Sequence, residues 1–164
     1  MSQFTAALLV TPLTDGRSWV IVTEDFRYDV GHEGSEDTVR VPRWMVTDFA
    51  SVPQPIWWFA APWGTHGHAA VIHDAGYYLQ DRTRGEYDRI FLEAMTVLGV
   101  GRLKRTLMYL AVRWFGMRAW SANAERNRDR PGWRIVDPAT LELQRRRGAP
   151  AVAHVRHAVA ARRR

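Results

Sequence analysis

The sequence predicts an α+β domain: a small antiparallel sheet from about residues 4–50, packed on a helical hairpin and a third amphipathic helix. Three observations predict it. The first third of the chain consists of short β-branched and aromatic runs separated by Gly, Pro and Asp, which is the texture of short strands. From Ala69 onward the apolar residues recur at helical spacing. Between the two helical runs, Thr83-Arg84-Gly85-Glu86 has the Ser/Thr-x-x-Glu spacing of a capping box, so one helix stops and another starts there.

Taken in order, Phe4 to Val10 alternates weakly and leads into an Asp15-Gly16 turn. Ser18 to Thr23 is a strand by its Trp, Val and Ile content. Asp25 to Val30 continues with Phe26, Tyr28 and Val30 at a period of two, so that the pieces pair most simply as a meander. The glycine-bearing polar run Gly31 to Asp37 is a loop. Thr38 to Pro42 resumes the alternation and ends at, or forms, a sheet edge, because Pro42 has no N–H to give a ladder. Met45 to Phe49 is the last extended piece, with Asp48 at its end.

From Ser51 to Gly67 the prolines and glycines argue for a structured connection, and Trp57, Trp58 and Trp63 argue that it packs against something, as a pocket lip or as a loop folded over the core. Ala69 to Leu79 is apolar all round apart from His73 and Asp74, which predicts a buried helix. The second helix runs from about Arg84 to Leu98, with Ile90, Phe91, Ala94, Met95 and Leu98 inward, and is closed by Gly99. The third runs from about Arg102 to Trp120. It puts Leu103, Leu107, Leu110, Ala111 and Trp114 on one side and Lys104, Arg105 and Arg113 elsewhere. Core packing is the commoner fate of such a stripe; a membrane surface is the alternative, given Trp114, Phe115, Trp120 and the basic residues. Residues 1–122 are thus read as one domain. Residues 123–164 are read as a basic extension with a short helix around Leu141–Gln144 and a mobile Arg162-Arg163-Arg164 tail.

The composition narrows the function classes. A chain of 164 residues with 46% apolar and 24% charged content is that of a single globular domain. It has no cysteine, so a disulfide framework or a thiolate zinc site is excluded and any metal must be held by oxygen or imidazole. No uncharged apolar run is long enough to span a membrane, and Met1-Ser2-Gln3-Phe4 does not begin a signal peptide. The formal charge of +6 is unevenly placed: residues 1–101 carry 7 basic and 13 acidic side chains, whereas residues 102–164 carry 16 and 4. The basic part could face nucleic acid, phospholipid or an acidic protein, but no nucleic-acid motif accompanies it.

Polar residues capable of acid/base or metal chemistry sit within apolar text only if they are paired. Asp48, His73, Asp74 and Asp88 do so here. On one helix, His73 and Asp74 point about 100° apart and so serve two tasks. Asp88, on the second helix of the hairpin, is the natural partner of His73, and Tyr77 at i+4 stacks beside it. A histidine so held can take a proton from water. The competing reading is a satisfied polar core, in which His73 and Asp88 simply pair and Asp48 caps a turn. His66-Gly67-His68 is a weak metal pattern.

Thr47-Asp48-Phe49-Ala50-Ser51-Val52-Pro53, Pro62-Trp63-Gly64, His73-Asp74-x-x-Tyr77 and Asp88-x-x-Phe91-x-x-Ala94-Met95 together resemble a domain family of unassigned function carried chiefly by tailed bacteriophages and prophages. The resemblance covers about residues 4–120 and implies phage origin more than it implies a reaction. The hairpin is also similar to that of the short phospholipase A-two enzymes, particularly bacterial ones. That similarity implies His73 as the base, Asp88 as its orienting carboxylate, Tyr77 as a brace and Asp74 as a calcium ligand. It departs from them in lacking their cysteines and calcium-loop pattern and in the short interval from His73 to Asp88.

The expectation is therefore a phage-encoded protein, part of the particle or acting at the cell envelope, with a hydrolase-type site. Its catalytic residues are His73, Asp88, Tyr77 and Asp48, and Asp74 and Asp48 hold any divalent cation, calcium or zinc. Its partners are other phage structural proteins or an envelope phospholipid, and it resides in the host cytoplasm and then in the virion. The alternative is a non-catalytic virion or tail-assembly component with a buried polar core; a nucleic-acid-binding accessory protein comes third.

Overall fold

The computed structural model describes residues 3–13, 18–47, 66–146 and 153–154. It is an α+β arrangement in which two small antiparallel sheets cover a cluster of helices. β1 (Gln3–Phe4), β4 (Arg27–Asp29) and β5 (Thr38–Arg40) form one sheet in the order β1-β4-β5. The other has the order β6-β3-β2-β7, from β2 (Leu9–Pro12), β3 (Trp19–Ile21), β6 (Val46–Thr47) and β7 (Ala153–His154). The expected single meander is thus corrected to two sheets. Consecutive strands do pair as hairpins, Val10 opposite Ile21 and Tyr28 opposite Val39. However, β1 pairs with β4 and β6 with β3. β5 lies at a sheet edge and stops before Pro42, as the missing N–H requires.

The helices are α1 (Gly67–Leu79), α2 (Arg84–Val97), α3 (Arg102–Asp129) and α4 (Pro138–Arg146). α1 is the central one, and its residues from Gly67 to Tyr77 are buried apart from partly buried Ala70. It ends at Gln80, which adopts φ 53° and donates its N–H to Gly76 O. α2 begins in a complete capping box: Glu86 N–H donates to Thr83 Oγ1, and Thr83 N–H donates back to Glu86 Oε2 at 2.8 Å. Gly99, at φ 71°, lets the chain leave α2 and enter α3.

The core joins Val10, Ile21, Tyr28 and Val39 of the sheets and the adjoining Leu8 and Phe26 to Val71, Ile72, Phe91, Met95 and Met108 on the helices. Two glycines allow close helix approach. The ring of Tyr87 occupies the space where a Cβ on Gly76 would lie, which brings α1 and α2 together, and the hydroxyl of Tyr77 does the same at Gly116 of α3. The sheet is tied to the hairpin by Glu93, whose Oε1 accepts from Tyr28 Oη at 3.0 Å and from Gly31 N–H at 2.9 Å.

Two expectations about the C-terminal part change. α3 continues nine residues past Trp120, so the expected boundary between residues 122 and 123 falls inside a helix. The stretch beyond is also attached: Asn123 Nδ2 donates to Tyr77 O at 3.0 Å, and Met45 bridges Ile135. Second, the core face of α3 is Met108, Ala111, Val112 and Gly116, whereas Leu103, Leu107 and Trp114 are exposed. Of the expected stripe only Ala111 belongs to that buried set. The Asp15-Gly16 turn, the tryptophan segment around Trp57, Trp58 and Trp63, and the terminal arginines lie outside the described residues.

Candidate functional site

The cluster around Asp88 assembles from three helices. Asp88 lies one turn into α2 on the face turned toward α1, and none of its surface is exposed. His73 and Tyr77, one turn apart on α1, both reach Asp88 Oδ1: His73 Nε2 at 3.2 Å and the Tyr77 hydroxyl at 2.8 Å. The other carboxylate oxygen, Oδ2, accepts from Arg84 Nη1 at 2.9 Å and from Arg113 Nη1 of α3 at 3.2 Å. Arg84 extends the same nitrogen to the carbonyls of Val112 and Arg113, each at 3.1 Å, which binds the start of α2 to the middle of α3.

Burial alone would raise the Asp88 pKa, but hydrogen bonds from His73, Tyr77 and Arg113 and the charge of His73 outweigh it and hold the carboxyl below its usual value. Burial, reinforced by the neighbouring Asp88 charge, pushes the Tyr77 phenol up, so Tyr77 donates its proton and does not ionise. The His73 ring stacks against Tyr77 at 4.2 Å between centroids and against Phe91 at 4.8 Å, and the residue is 4% exposed.

Asp74 turns away from this cluster, as the helical spacing requires. Its Oδ2 accepts from Thr47 Oγ1 at 2.6 Å, and its main-chain carbonyl accepts from Arg134 Nη1 at 3.1 Å. The Asp74 carboxylate thus meets the Thr47 hydroxyl, while the Arg134 guanidinium sits on the main-chain carbonyl of the same residue. Among the described residues no group of three or more His, Cys, Asp or Glu is arranged to hold a metal ion. Asp48 lies outside the described residues. His66 and His68 are buried, and the ring of His68 packs against Phe4 and Phe26 at 5.4 and 5.5 Å. Burial, with Lys104 nearby, lowers the His66 pKa to about 4.

Of the sequence-derived site residues, then, His73, Tyr77 and Asp88 meet and Asp74 faces the sheet instead. A shallow cleft of about 700 Å³, lined by Leu79, Gln80, Trp120, Ser121, Ala124, Asn127 and Arg128, contains none of them. Sequence reasoning missed Arg84, Arg113, Thr47, Arg134 and Asn123. Arg84 carried a usable signal, since it precedes Asp88 by four residues on one helix face. The others arrive from distant segments and carried none.

The family model described as protein of unknown function (DUF1353) matches residues 20–112, and the chain belongs to that family. No curated protein and no solved structure matches it.

Proposed function

We propose that this member of the DUF1353 family is a non-catalytic structural or assembly component in which the cluster around Asp88 is an internal brace. The observation that carries this reading is the state of the Asp88 carboxylate: fully buried, with both oxygens engaged by four donors from three helices. A carboxylate that only had to orient a catalytic histidine would not need two arginines, each of which competes for its charge. Two arginines are what a buried carboxylate needs when it must stay ionised and join helices. The enclosure of His73 between Tyr77 and Phe91 supports the same reading.

The biological setting we propose is a tailed phage or prophage, where the protein is made in the host cytoplasm and enters the particle alongside other phage structural proteins. The Thr47–Pro53 string and the His73-Asp74-x-x-Tyr77 pattern support that setting. A second reading, hydrolysis at the cell envelope, is favoured by one observation, the His73–Asp88 contact braced by Tyr77. In it His73 takes a proton from water, Asp88 stabilises the resulting imidazolium, and a phospholipid is the substrate.

One experiment separates the two. His73→Ala and Asp88→Asn proteins are compared with the parent in urea unfolding and in fatty-acid release from phosphatidylcholine vesicles with added calcium. The brace predicts no release by the parent and a lower unfolding midpoint for both variants. Release by the parent that vanishes in His73→Ala at an unchanged midpoint would replace the brace by the hydrolase. For the setting, mass spectrometry of purified virions should find the chain among the particle proteins; its absence from them removes the particle assignment.

A further inference from the structure

α3 is apolar on two opposite faces, and the described residues pack against only one. The inner face carries Met108, Ala111, Val112 and Gly116. On the outer face, Leu103, Leu107, Leu110, Trp114 and Met117 follow each other at intervals of four, three, four and three residues. Leu103 is 75% exposed and Trp114 71%; Leu107 and Met117 are exposed as well, and Leu110 is partly buried.

Successive 100° steps place these five side chains within an arc of about 80°, along about 21 Å of helix. The stripe has the phase of a coiled-coil seam, and Phe115, 58% exposed, lies about 80° beyond its edge. Its flanks have one sign. Lys104 and Arg118 follow the seam residues Leu103 and Met117, and from Arg102 to Ala124 there is no acidic side chain. A second copy of this chain would bring like charges together along such a seam, in either direction of pairing.

We infer that the outer face of α3 docks an amphipathic helix of another protein, whose own apolar stripe is flanked by Asp or Glu. Trp114 is the central anchor, with the aromatic area that marks the energetic centre of an interface. Lys104 and Arg118 select the partner by charge and set its register.

The test uses the full chain and two synthetic three-heptad peptides with Leu at both seam positions, one with Glu and one with Lys at the flanking positions. Binding is followed by fluorescence anisotropy of the labelled peptide. The Glu peptide is expected to bind and the Lys peptide not to; Trp114→Ser and Arg118→Glu should each weaken the Glu peptide roughly tenfold or more. Both substitutions are at exposed positions, so unchanged circular dichroism and unfolding midpoints separate a lost surface from a lost fold. Equal binding of the two peptides overturns the inference, as does binding that survives both substitutions. It is equally overturned if the Glu peptide fails to bind, whether the protein then stays inert, forms a dimer that Trp114→Ser dissolves, or sediments with phosphatidylcholine–phosphatidylglycerol vesicles.

Discussion

The inner and outer faces of α3 treat their side chains in opposite ways. Inside, charged groups are enclosed and every Asp88 oxygen is engaged; outside, large apolar groups are left in water beside cations. A buried carboxylate with both oxygens engaged by four donors offers no free acceptor to a ligand, and the reading proposed above puts its effect in the fold. An uncovered apolar seam adds nothing to the isolated fold, so its value lies in what covers it. The two faces should therefore respond oppositely to substitution: the inner one in stability, the outer one in binding.

The sharpest way to break that contrast is Asp88→Ala, which leaves Arg84 and Arg113 without their carboxylate. It should cost about 3–5 kcal/mol in urea unfolding, the usual loss when one partner of a buried ion pair is removed. A loss below about 1 kcal/mol would mean that the cluster is not a brace.

Acid should act on buried groups at both ends of α1. His66 has a folded pKa of about 4 against 6.5 for the free side chain, so the unfolded chain binds the extra proton as pH falls between those values. Stability should decline across that window by on the order of 2–3 kcal/mol and then level for this group. Asp88, whose folded pKa is lowered, adds stability that is complete above its ordinary value of 3.8 and disappears as pH falls through the folded value. Unfolding midpoints measured from pH 7 to pH 3 should show the His66 decline and, below 3.8, the onset of the Asp88 loss, and His66→Phe should remove the first.

Gly116→Ala comes next. Its Cβ would overlap the Tyr77 hydroxyl, so either α3 moves outward or the bond to Asp88 is displaced, at a cost of about 2 kcal/mol in the same urea assay. Tyr77→Phe deletes one of four donors while keeping the ring in place, and should lower stability by about 1 kcal/mol, less than Asp88→Ala because three donors remain. At the far end, Trp114→Ser should change the unfolding free energy by no more than about 0.5 kcal/mol, because an exposed side chain loses no enclosed contact. A destabilisation of 2 kcal/mol or more there would mean that the outer face is part of the core.

The parts of the molecule legible in the sequence are those set by local rules. The capping box at Thr83–Glu86, the C-terminal Gly99, the buried character of α1 and the inward position of Asp88 all follow from spacing within one or two turns. The pairing of His73 with Asp88 and the bracing by Tyr77 also follow, because a short hairpin leaves its two helices few ways to face each other. What failed was of a different kind. The strands were legible as strands, but not as members of two sheets, since two- and three-residue ladders carry no signal of which neighbour they choose. The stripe on α3 was legible as apolar but not as outward-facing, since Met108, Ala111 and Val112 offered a second apolar face and periodicity cannot say which one the core takes.

Local residue patterns thus specify an α+β fold with a capped helical hairpin and a His–Asp contact inside it. Hydrophobic period and cap chemistry act over a few residues, and a linear text displays them. Long-range packing alone brings two arginines to Asp88, turns Asp74 to Thr47 and leaves one apolar face of α3 exposed among the described residues. Arg113 and Thr47 are 25 and 27 residues from the carboxylates they meet. Contacts of that range depend on how helices and sheets are stacked, which is a property of the whole packed chain and is not carried by any one stretch of it.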